Sequence, residues 1–392
     1  MNTNTKIGSI SERIIDKHMF NEIEAKSILR RRKKIDSWFL THYGINLYRG
    51  CGHNCVYCDG RAEKYQVYGN FGKNISVKTN AIELLGKELN PVLKRKPMPK
   101  SFIMLGGGVG DAYQPAEKKY QLARQTLELI YKYKYPVHIL TKSTLVERDI
   151  DLLKEINKEN KAVVCFSFSS INSRISRVFE PGVPGPAERI ATIKNLKKAG
   201  IACGMFLVPV IPFITDTPEM IEQALQQSRE AGIDFVIFGT MTLKTGRQKD
   251  YFMHVLQKQF PDLISQYETI YRKDSRWGEP GPQYNRSVHE VFDKIATAYK
   301  IPKRIPPGIY KKVITRQDLV IIILEQLDYL LNLKNKKSPY GYAAYSLGKL
   351  REPIAGLSRE KLLKINGIGP VTIKIIKEIL DTGKCSYYEN LL

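Results

Sequence analysis

Between residues 77 and 245, short apolar runs alternate with amphipathic stretches of helical period. The runs 101–105, Val137–Thr141, 162–169, Ala202–Val210 and Phe235–Thr240 are rich in β-branched and aromatic residues. Each is bounded by glycine, proline or charge, and each predicts a strand. The intervening stretches 118–133, 147–158, 186–199 and 218–231 space their apolar residues as helices do. This β–α rhythm predicts an α/β fold with parallel strands and right-handed crossovers. Eight units are not visible, so the pattern predicts an open, partial (βα)6 TIM-like barrel over residues 46–245. Chemistry then belongs at the C-terminal ends of the strands.

The flanks read differently. Residues 1–45 predict an N-terminal helical arm with a basic cluster, Arg30-Arg31-Arg32-Lys33-Lys34. Residues 246–315 are irregular and rich in arginine, tyrosine and proline, and predict a covering segment followed by a linker. Residues 316–392 predict a separate all-α domain. The most apolar stretch, around 319–333, is cut by Glu325, Gln326 and Asp328, so no membrane span is predicted. The first twelve residues lack an apolar signal core, and a cytoplasmic location is the expectation.

Composition changes the picture in two ways. Lys plus Arg total 62 against 39 Asp plus Glu, a formal net charge of +23. Such a surplus points first to a polyanionic partner, nucleic acid, and second to a solvated basic surface in a lysine-rich chain. Six cysteines are too few for a disulfide framework. Three of them fall within eight residues, as Cys51-Gly52-His53-Asn54-Cys55-Val56-Tyr57-Cys58.

That C-x3-C-x2-C spacing lets three thiolates ligate three irons of a [4Fe-4S] cluster. The fourth iron keeps an open position, the mark of a catalytic centre rather than a closed structural site. The amino and carboxylate groups of S-adenosylmethionine (SAM) suit that position, and reductive cleavage of its S–C5′ bond would start radical chemistry. The alternative is a zinc site with His53 as fourth ligand, but His53 sits between two of the cysteines with little geometric freedom.

With these cysteines the chain resembles the radical SAM superfamily, in the branch related to spore photoproduct lyase, over about residues 40–245. The marks run in order: Asn46-Leu47-Tyr48-Arg49-Gly50-Cys51, then Gly106-Gly107-Gly108-Val109-Gly110-Asp111-Ala112-Tyr113-Gln114-Pro115. Thr141-Lys142-Ser143, Phe166-Ser167-Phe168-Ser169 and Phe179-Glu180-Pro181-Gly182 follow. The resemblance implies that Tyr57 lies against the adenine of SAM. It also implies that Gly106, Gly107 and Gly108 approach the methionine amino group, and that Lys142 pairs with the methionine carboxylate. Ser167 and Ser169 are alternate residues of one strand, so they face one side and suit ribose or carboxylate. The family's electron donors imply a reductant such as flavodoxin or ferredoxin. Spore photoproduct lyases carry a hydrogen-donating cysteine in the stretch aligned with 106–111, where this chain has Gly108. Cys165 and Cys203 fall in apolar strands and read as core residues. Asp111 and Tyr113 are candidate catalytic groups on the substrate side, with loop hydrogen bonding as the alternative for both.

A second signal lies in Leu362-Leu363-Lys364-Ile365-Asn366-Gly367-Ile368-Gly369-Pro370-Val371-Thr372-Ile373-Lys374. Ser358 predicts the start of one helix, the glycines a tight turn, and Pro370 the first residue of a second helix that ends at Gly383. This is the helix-hairpin-helix pattern. In it, hairpin and helix N-terminal N–H groups meet a DNA phosphate, here with Lys364, Gly367, Gly369, Thr372 and Lys374 as the DNA-binding candidates. Residues 317–392 also resemble the small helical domain of family X DNA polymerases. The lyase lysine of that family aligns with Ile375, so the resemblance implies DNA binding without lyase chemistry.

The expected function is therefore a radical SAM enzyme acting on DNA, as a repair lyase or base-modifying enzyme, with the tail binding DNA independently of the barrel. Two alternatives stay open: a radical SAM enzyme modifying RNA, and a non-catalytic iron–sulfur DNA-binding protein.

Overall fold

The computed structural model describes residues 18–67, 69–94, 98–106, 109–272, 277–334 and 336–392. A three-stranded sheet forms from β1 (Met19–Ile23), β4 (Tyr48–Arg49) and β5 (Asn74–Lys78), in the order β1-β5-β4. The main sheet contains β2 (Leu29–Asp36), β3 (Thr41–Ile45), β6 (Phe102–Leu105), β7 (Val137–Thr141), β8 (Ala162–Phe168), β9 (Ala202–Val210) and β10 (Phe235–Thr240). Its order is β10-β9-β8-β7-β6-β3-β2. From β10 to β3 every pairing is parallel, giving six parallel strands, and β2 closes the edge antiparallel to β3.

The six parallel strands carry α1 (Ala81–Leu89), α2 (Leu122–Lys132), α3 (Ile150–Glu159), α4 (Pro186–Lys198), α5 (Pro218–Glu230) and α6 (Pro282–Ala298). Side-chain alternation divides each strand between two cores. Val137, Ile139, Val164, Phe166, Met205, Val236 and Phe238 pack outward against these helices. Phe102, Val163, Cys165, Phe206, Phe235 and Ile237 face the barrel interior.

The interior is sealed from below by α7 (Arg316–Leu333), which starts at a Thr315 cap accepting from Asp318 N. Leu319, Val320, Ile321, Ile322, Ile323, Leu324 and Leu327 are all buried, so this helix is apolar around its circumference, as a helix enclosed on every side must be. It joins the barrel floor to α8 (Tyr340–Leu347), α9 (Arg359–Leu363) and α10 (Pro370–Thr382) in one hydrophobic cluster. The C-terminal helices are therefore not an independent tail. His138 lies in the same floor. Its Nδ1 faces Phe39 O at 3.0 Å and its Nε2 faces Cys165 Sγ at 3.1 Å, and burial pushes its pKa down to about 4. Among the described residues no helix is long and apolar enough to cross a membrane.

Two expectations are corrected. Residues 1–17 of the predicted helical arm lie outside the described residues, but 19–45 form β1, β2 and β3. The basic cluster is the edge strand β2, whose pairing with β3 (Leu29↔Ile45, Arg31↔Tyr43) outweighs its uniform polarity. Likewise 246–315 is more than cover and linker. It holds helices Arg247–Gln259 and Ile264–Ile270 and then α6, the sixth barrel helix. The prolines there mark a helix start, since Pro282 opens α6 at a position where its missing N–H costs nothing.

Candidate active site

The cysteine loop leaves β3 at the C-terminal rim of the barrel. Cys51 and Cys55 are buried and Cys58 is nearly so. Backbone contacts hold the loop in shape. Val56 N donates to Phe179 O at 2.8 Å and Gly182 N to His53 O at 3.0 Å. Gln114 brackets its start, its Nε2 donating to Gly50 O and its Oε1 accepting from Gly52 N. Arg61 Nε donates to Cys55 O at 3.1 Å, with its guanidinium 3.7 Å over the Tyr251 ring. Gln248 Nε2 donates to Tyr57 O at 2.8 Å from the far side.

Burial pushes all three thiols up, and Cys51 is raised further by Cys55 and Cys58, so the three share one electrostatic neighbourhood. Among the described residues no group of three or more His, Cys, Asp or Glu side chains forms a site for a metal ion. A mononuclear ion needs donors converging on one point, whereas a cluster spreads its thiolates over separate irons. His53 is not available as a fourth zinc ligand. Its Nδ1 faces Gly182 O and its Nε2 faces Asp111 Oδ2, each at 3.1 Å. Three thiols without a protein fourth ligand fit a cluster with one open iron.

Above the sealed floor, the inward-facing residues at the strand ends are Gly106, Lys142, Ser167 and Ser169. Gly106 has φ +80°, and a Cβ there would meet Leu140 O at 2.5 Å, so the turn itself demands glycine. Gly107 and Gly108 lie outside the described residues. Ser167 Oγ donates to Val208 O at 2.8 Å. Ser169 Oγ is buried beside the Tyr57 phenol, and no other hydrogen-bond partner of good geometry reaches it among the described residues. Tyr57 is buried, and its hydroxyl donates to Glu180. The phenol is thus pinned, leaving the ring or backbone for adenine contact.

Lys142 also has partners within the protein. Its Nζ donates to Glu180 Oε1 at 2.9 Å and to Ser167 Oγ at 2.7 Å, so it already has a protein carboxylate as partner, one that it shares with Arg189. Glu180 in turn accepts from Arg189 Nη2 at 2.7 Å, with Glu180 and Arg189 both fully buried. Burial alone would raise the Glu180 carboxyl, but Arg189 and Lys142 more than offset it and hold it well below the usual carboxylate range. Removing one partner of such a buried pair typically costs about 3–5 kcal/mol, far more than an exposed lysine contributes. Lys142 is committed to Glu180 first, and sequence reasoning assigned no role to either Glu180 or Arg189.

Asp111 and Tyr113 are both held by contacts within the protein. Asp111 accepts from Thr141 Oγ1 at 2.8 Å, Lys142 N at 2.7 Å and Tyr113 N at 2.8 Å, besides facing His53. Its carboxylate latches the cysteine loop to the ends of β6 and β7. Tyr113 points into the outer core, where its hydroxyl donates to Asp149 at 3.1 Å.

The hairpin forms as expected. Ser358 caps α9 by accepting from Lys361 N, and Pro370 is the first residue of α10. Gly367 has φ +85°, and a Cβ would lie 2.7 Å from Ala343 N. Gly369 differs: its φ is −110° and a Cβ would meet nothing within 4 Å. Nothing inside the protein requires glycine there. Lys364 and Lys374 are exposed, but Thr372 is only 2% exposed and packs behind the hairpin rather than presenting an open contact.

Comparison with known proteins gives the same two parts. Residues 45–227 match the radical SAM superfamily, and residues 316–385 match a helix-hairpin-helix domain. An uncharacterized protein of Mycobacterium tuberculosis is 30% identical over 286 residues, 72% of this chain and 81% of that protein. One from Methanocaldococcus jannaschii is 31% identical over 254 residues, 64% of this chain and 85% of that protein. Spore photoproduct lyase complexed with dinucleoside spore photoproduct superposes with a TM-score of 0.53 at 15% identity, covering 76% of this chain and 85% of that one. A mutant of that enzyme with bound AdoMet and dinucleoside spore photoproduct gives 0.52 at 16% identity. At these identities the structural likeness is one of fold.

Proposed function

We propose that this chain, which belongs to the radical SAM superfamily and carries a C-terminal helix-hairpin-helix domain, acts on DNA as a repair lyase or base-modifying enzyme. The observation that carries the reading is the pairing of two chemistries on one barrel. Three thiols stand at its rim, and α7 packs a phosphate-type hairpin with an open Gly369 onto its floor.

Cys51, Cys55 and Cys58 would hold a [4Fe-4S] cluster, with SAM on the inner rim near Gly106, Ser167, Ser169 and Tyr57. When bound, these groups supply reductive cleavage of the S–C5′ bond and hence radical chemistry. The protein's part is to keep the site dry and charge-balanced. The packed floor excludes water from below, and Glu180 pairs with both Lys142 and Arg189, leaving one net positive charge at the rim that suits an anionic group of the ligand. A target base within a duplex must leave the stack to reach this rim, and the hairpin grips the backbone while it does. Cys165, Cys203 and Cys385 are buried in the cores, so none of these three thiols faces the rim as a hydrogen donor.

The test is anaerobic reconstitution with iron and sulfide, followed by incubation with SAM, a reductant and ultraviolet-damaged duplex DNA. The expected result is 5′-deoxyadenosine together with a changed nucleoside in the mass analysis of the digested DNA. SAM cleavage with no change in DNA but a change in tRNA would move the substrate to RNA. A loaded cluster with no SAM cleavage would leave the non-catalytic alternative.

A further inference from the structure

The basic edge strand is not used by the reading so far. β2 forms one wall of a cavity of about 400 Å³, with Arg30, Arg31 and Arg32 facing it. The opposite walls are Asn46–Tyr48, which lead into the cysteine loop, and Gly106 with 109–112 at the end of β6. The cavity therefore adjoins the candidate active site at Gly106 and Asp111.

Its charge is uncompensated. Arg30 and Arg31 have no ion-pair partner among the described residues, and Arg32 pairs only with Asp36 of its own strand. Behind them, Lys78 Nζ donates to Asn46 O at 2.6 Å, and burial, Arg49 and Arg30 together push that ammonium down to about 8. The cavity's one carboxylate, Asp111, is already committed to His53, Thr141 and the Lys142 backbone. An anion is what this wall lacks. SAM is a poor candidate, since its sulfonium and ammonium outweigh its carboxylate. A phosphodiester fits, and the half-buried Tyr65 in the same wall offers a ring on which a base can stack.

β2 also leads somewhere. The Lys34 chain lies against the end of α8, where a Cβ at Gly348 would sit 3.1 Å from its Cδ, and its ammonium pairs with Glu325 of α7. α8 exposes Tyr342 and Tyr345 at 72% and 53%, and Lys349 Nζ stands 3.9 Å over the Tyr345 ring. The hairpin turn at Gly367 packs against Tyr342 and Ala343 of the same helix. Hairpin, tyrosines, Lys34 and the arginine strand are thus consecutive neighbours, with Arg30, Arg32 and Lys34 sharing one face of β2. From Arg30 to Lys34 the strand covers about 13 Å at ~3.3 Å per residue, enough to meet a few phosphates of one strand.

We propose that β2 is a phosphate rail that carries one nucleic-acid strand from the hairpin into the cavity beside the cysteine loop. The proposal rests on the nucleic-acid reading above. The competing explanation is that the charges merely keep an edge strand from pairing with another chain.

The two are separated with the full chain, by fluorescence anisotropy across a salt series. The probes are a fluorescein-labelled continuous duplex and the same duplex with a central four-nucleotide single-stranded gap. Wild type is expected to bind the gapped duplex more tightly. The Arg30→Gln, Arg31→Gln, Arg32→Gln variant should lose about tenfold on the gapped duplex at moderate salt. Its log–log salt slope should drop by about 2, since each single-strand phosphate contact contributes roughly 0.7. On the continuous duplex, which the hairpin holds, the loss should stay under about twofold. The control is the triple Arg→Lys change at the same three positions, which keeps the charges and is expected to bind nearly as wild type. Unchanged gapped-duplex affinity and slope in the Gln variant overturn the rail, as does an equal loss in the Arg→Lys variant. Should the Gln variant aggregate while the Arg→Lys variant stays soluble without preferring the gap, the edge-protection explanation wins. The same losses on a gapped RNA duplex would keep the rail and move the substrate to RNA. Wild type that binds none of these probes would instead refute the nucleic-acid reading itself.

Discussion

Replacing Cys51, Cys55 and Cys58 together by alanine is expected to remove all reconstituted iron and all SAM cleavage while the chain stays folded. The loop does not depend on the thiols for its path. It is held by Val56 N on Phe179 O, Gly182 N on His53 O, and Arg61 and Gln248 on the carbonyls of Cys55 and Tyr57. The thiols themselves accept only weak backbone contacts, such as that of Cys58 Sγ from Gly60 N at 3.4 Å. Alanine therefore trims three small side chains and leaves the frame. In wild type, about four irons and four sulfides per chain are expected. Because burial holds the thiols protonated, assembly must drive off their protons, and loading should improve as pH rises. Iron and sulfide assays, far-ultraviolet circular dichroism and chromatography of 5′-deoxyadenosine check the three parts separately. A folded triple variant that still cleaves SAM would refute the assignment of these cysteines.

The barrel was legible where both faces of a strand are buried. β7, β9 and β10 read at their observed bounds because a strand covered on both sides is a mostly apolar run, here rich in β-branched and aromatic residues and followed by a loop. β2 and β3 were not legible. β2 is an edge strand whose exposed arginines show no period-2 contrast, and its identity comes from pairing with β3. The site divides in the same way. The cysteines, Lys142 and Ser167 could be placed from spacing and strand parity, but what surrounds them could not. Arg189 reaches the Ser167 carbonyl across 22 residues, Gln114 reaches Gly50 across 64, and Gln248 reaches Tyr57 across 191. No local pattern announces such partners. Asp111 and Tyr113 read as catalytic candidates from their place in a glycine-rich loop, while their side-chain partners Thr141 and Asp149, 30 and 36 residues away, carry no local signal.

The two hairpin glycines are expected to fail in different ways, and the difference tests DNA binding apart from folding. Gly367 is required by the protein. A side chain there must adopt φ +85° and would come within 2.7 Å of Ala343 N, so Gly367→Val should lower the melting temperature as well as binding. Gly369 sits in extended backbone that valine favours, with open space where the Cβ would go. Gly369→Val should therefore melt like wild type. Its isopropyl group would occupy the space through which a phosphate reaches the free N–H groups opening α10. Charge-assisted hydrogen bonds of this kind are worth roughly 1.5–3 kcal/mol, so duplex affinity should fall about ten- to hundredfold. The loss should be nearly the same for any duplex sequence, because the contact is to the backbone. Lys364→Gln and Lys374→Gln should each flatten the salt slope by about 0.9 if each meets one phosphate. These measurements call for the full chain, since α7 shares its core with the barrel floor and residues 317–392 alone would expose that face. Calorimetry and anisotropy on the same preparations give both answers. A Gly369→Val protein that melts and binds as wild type would show that the hairpin does not receive a phosphate, and the C-terminal helices would then serve only to close the barrel.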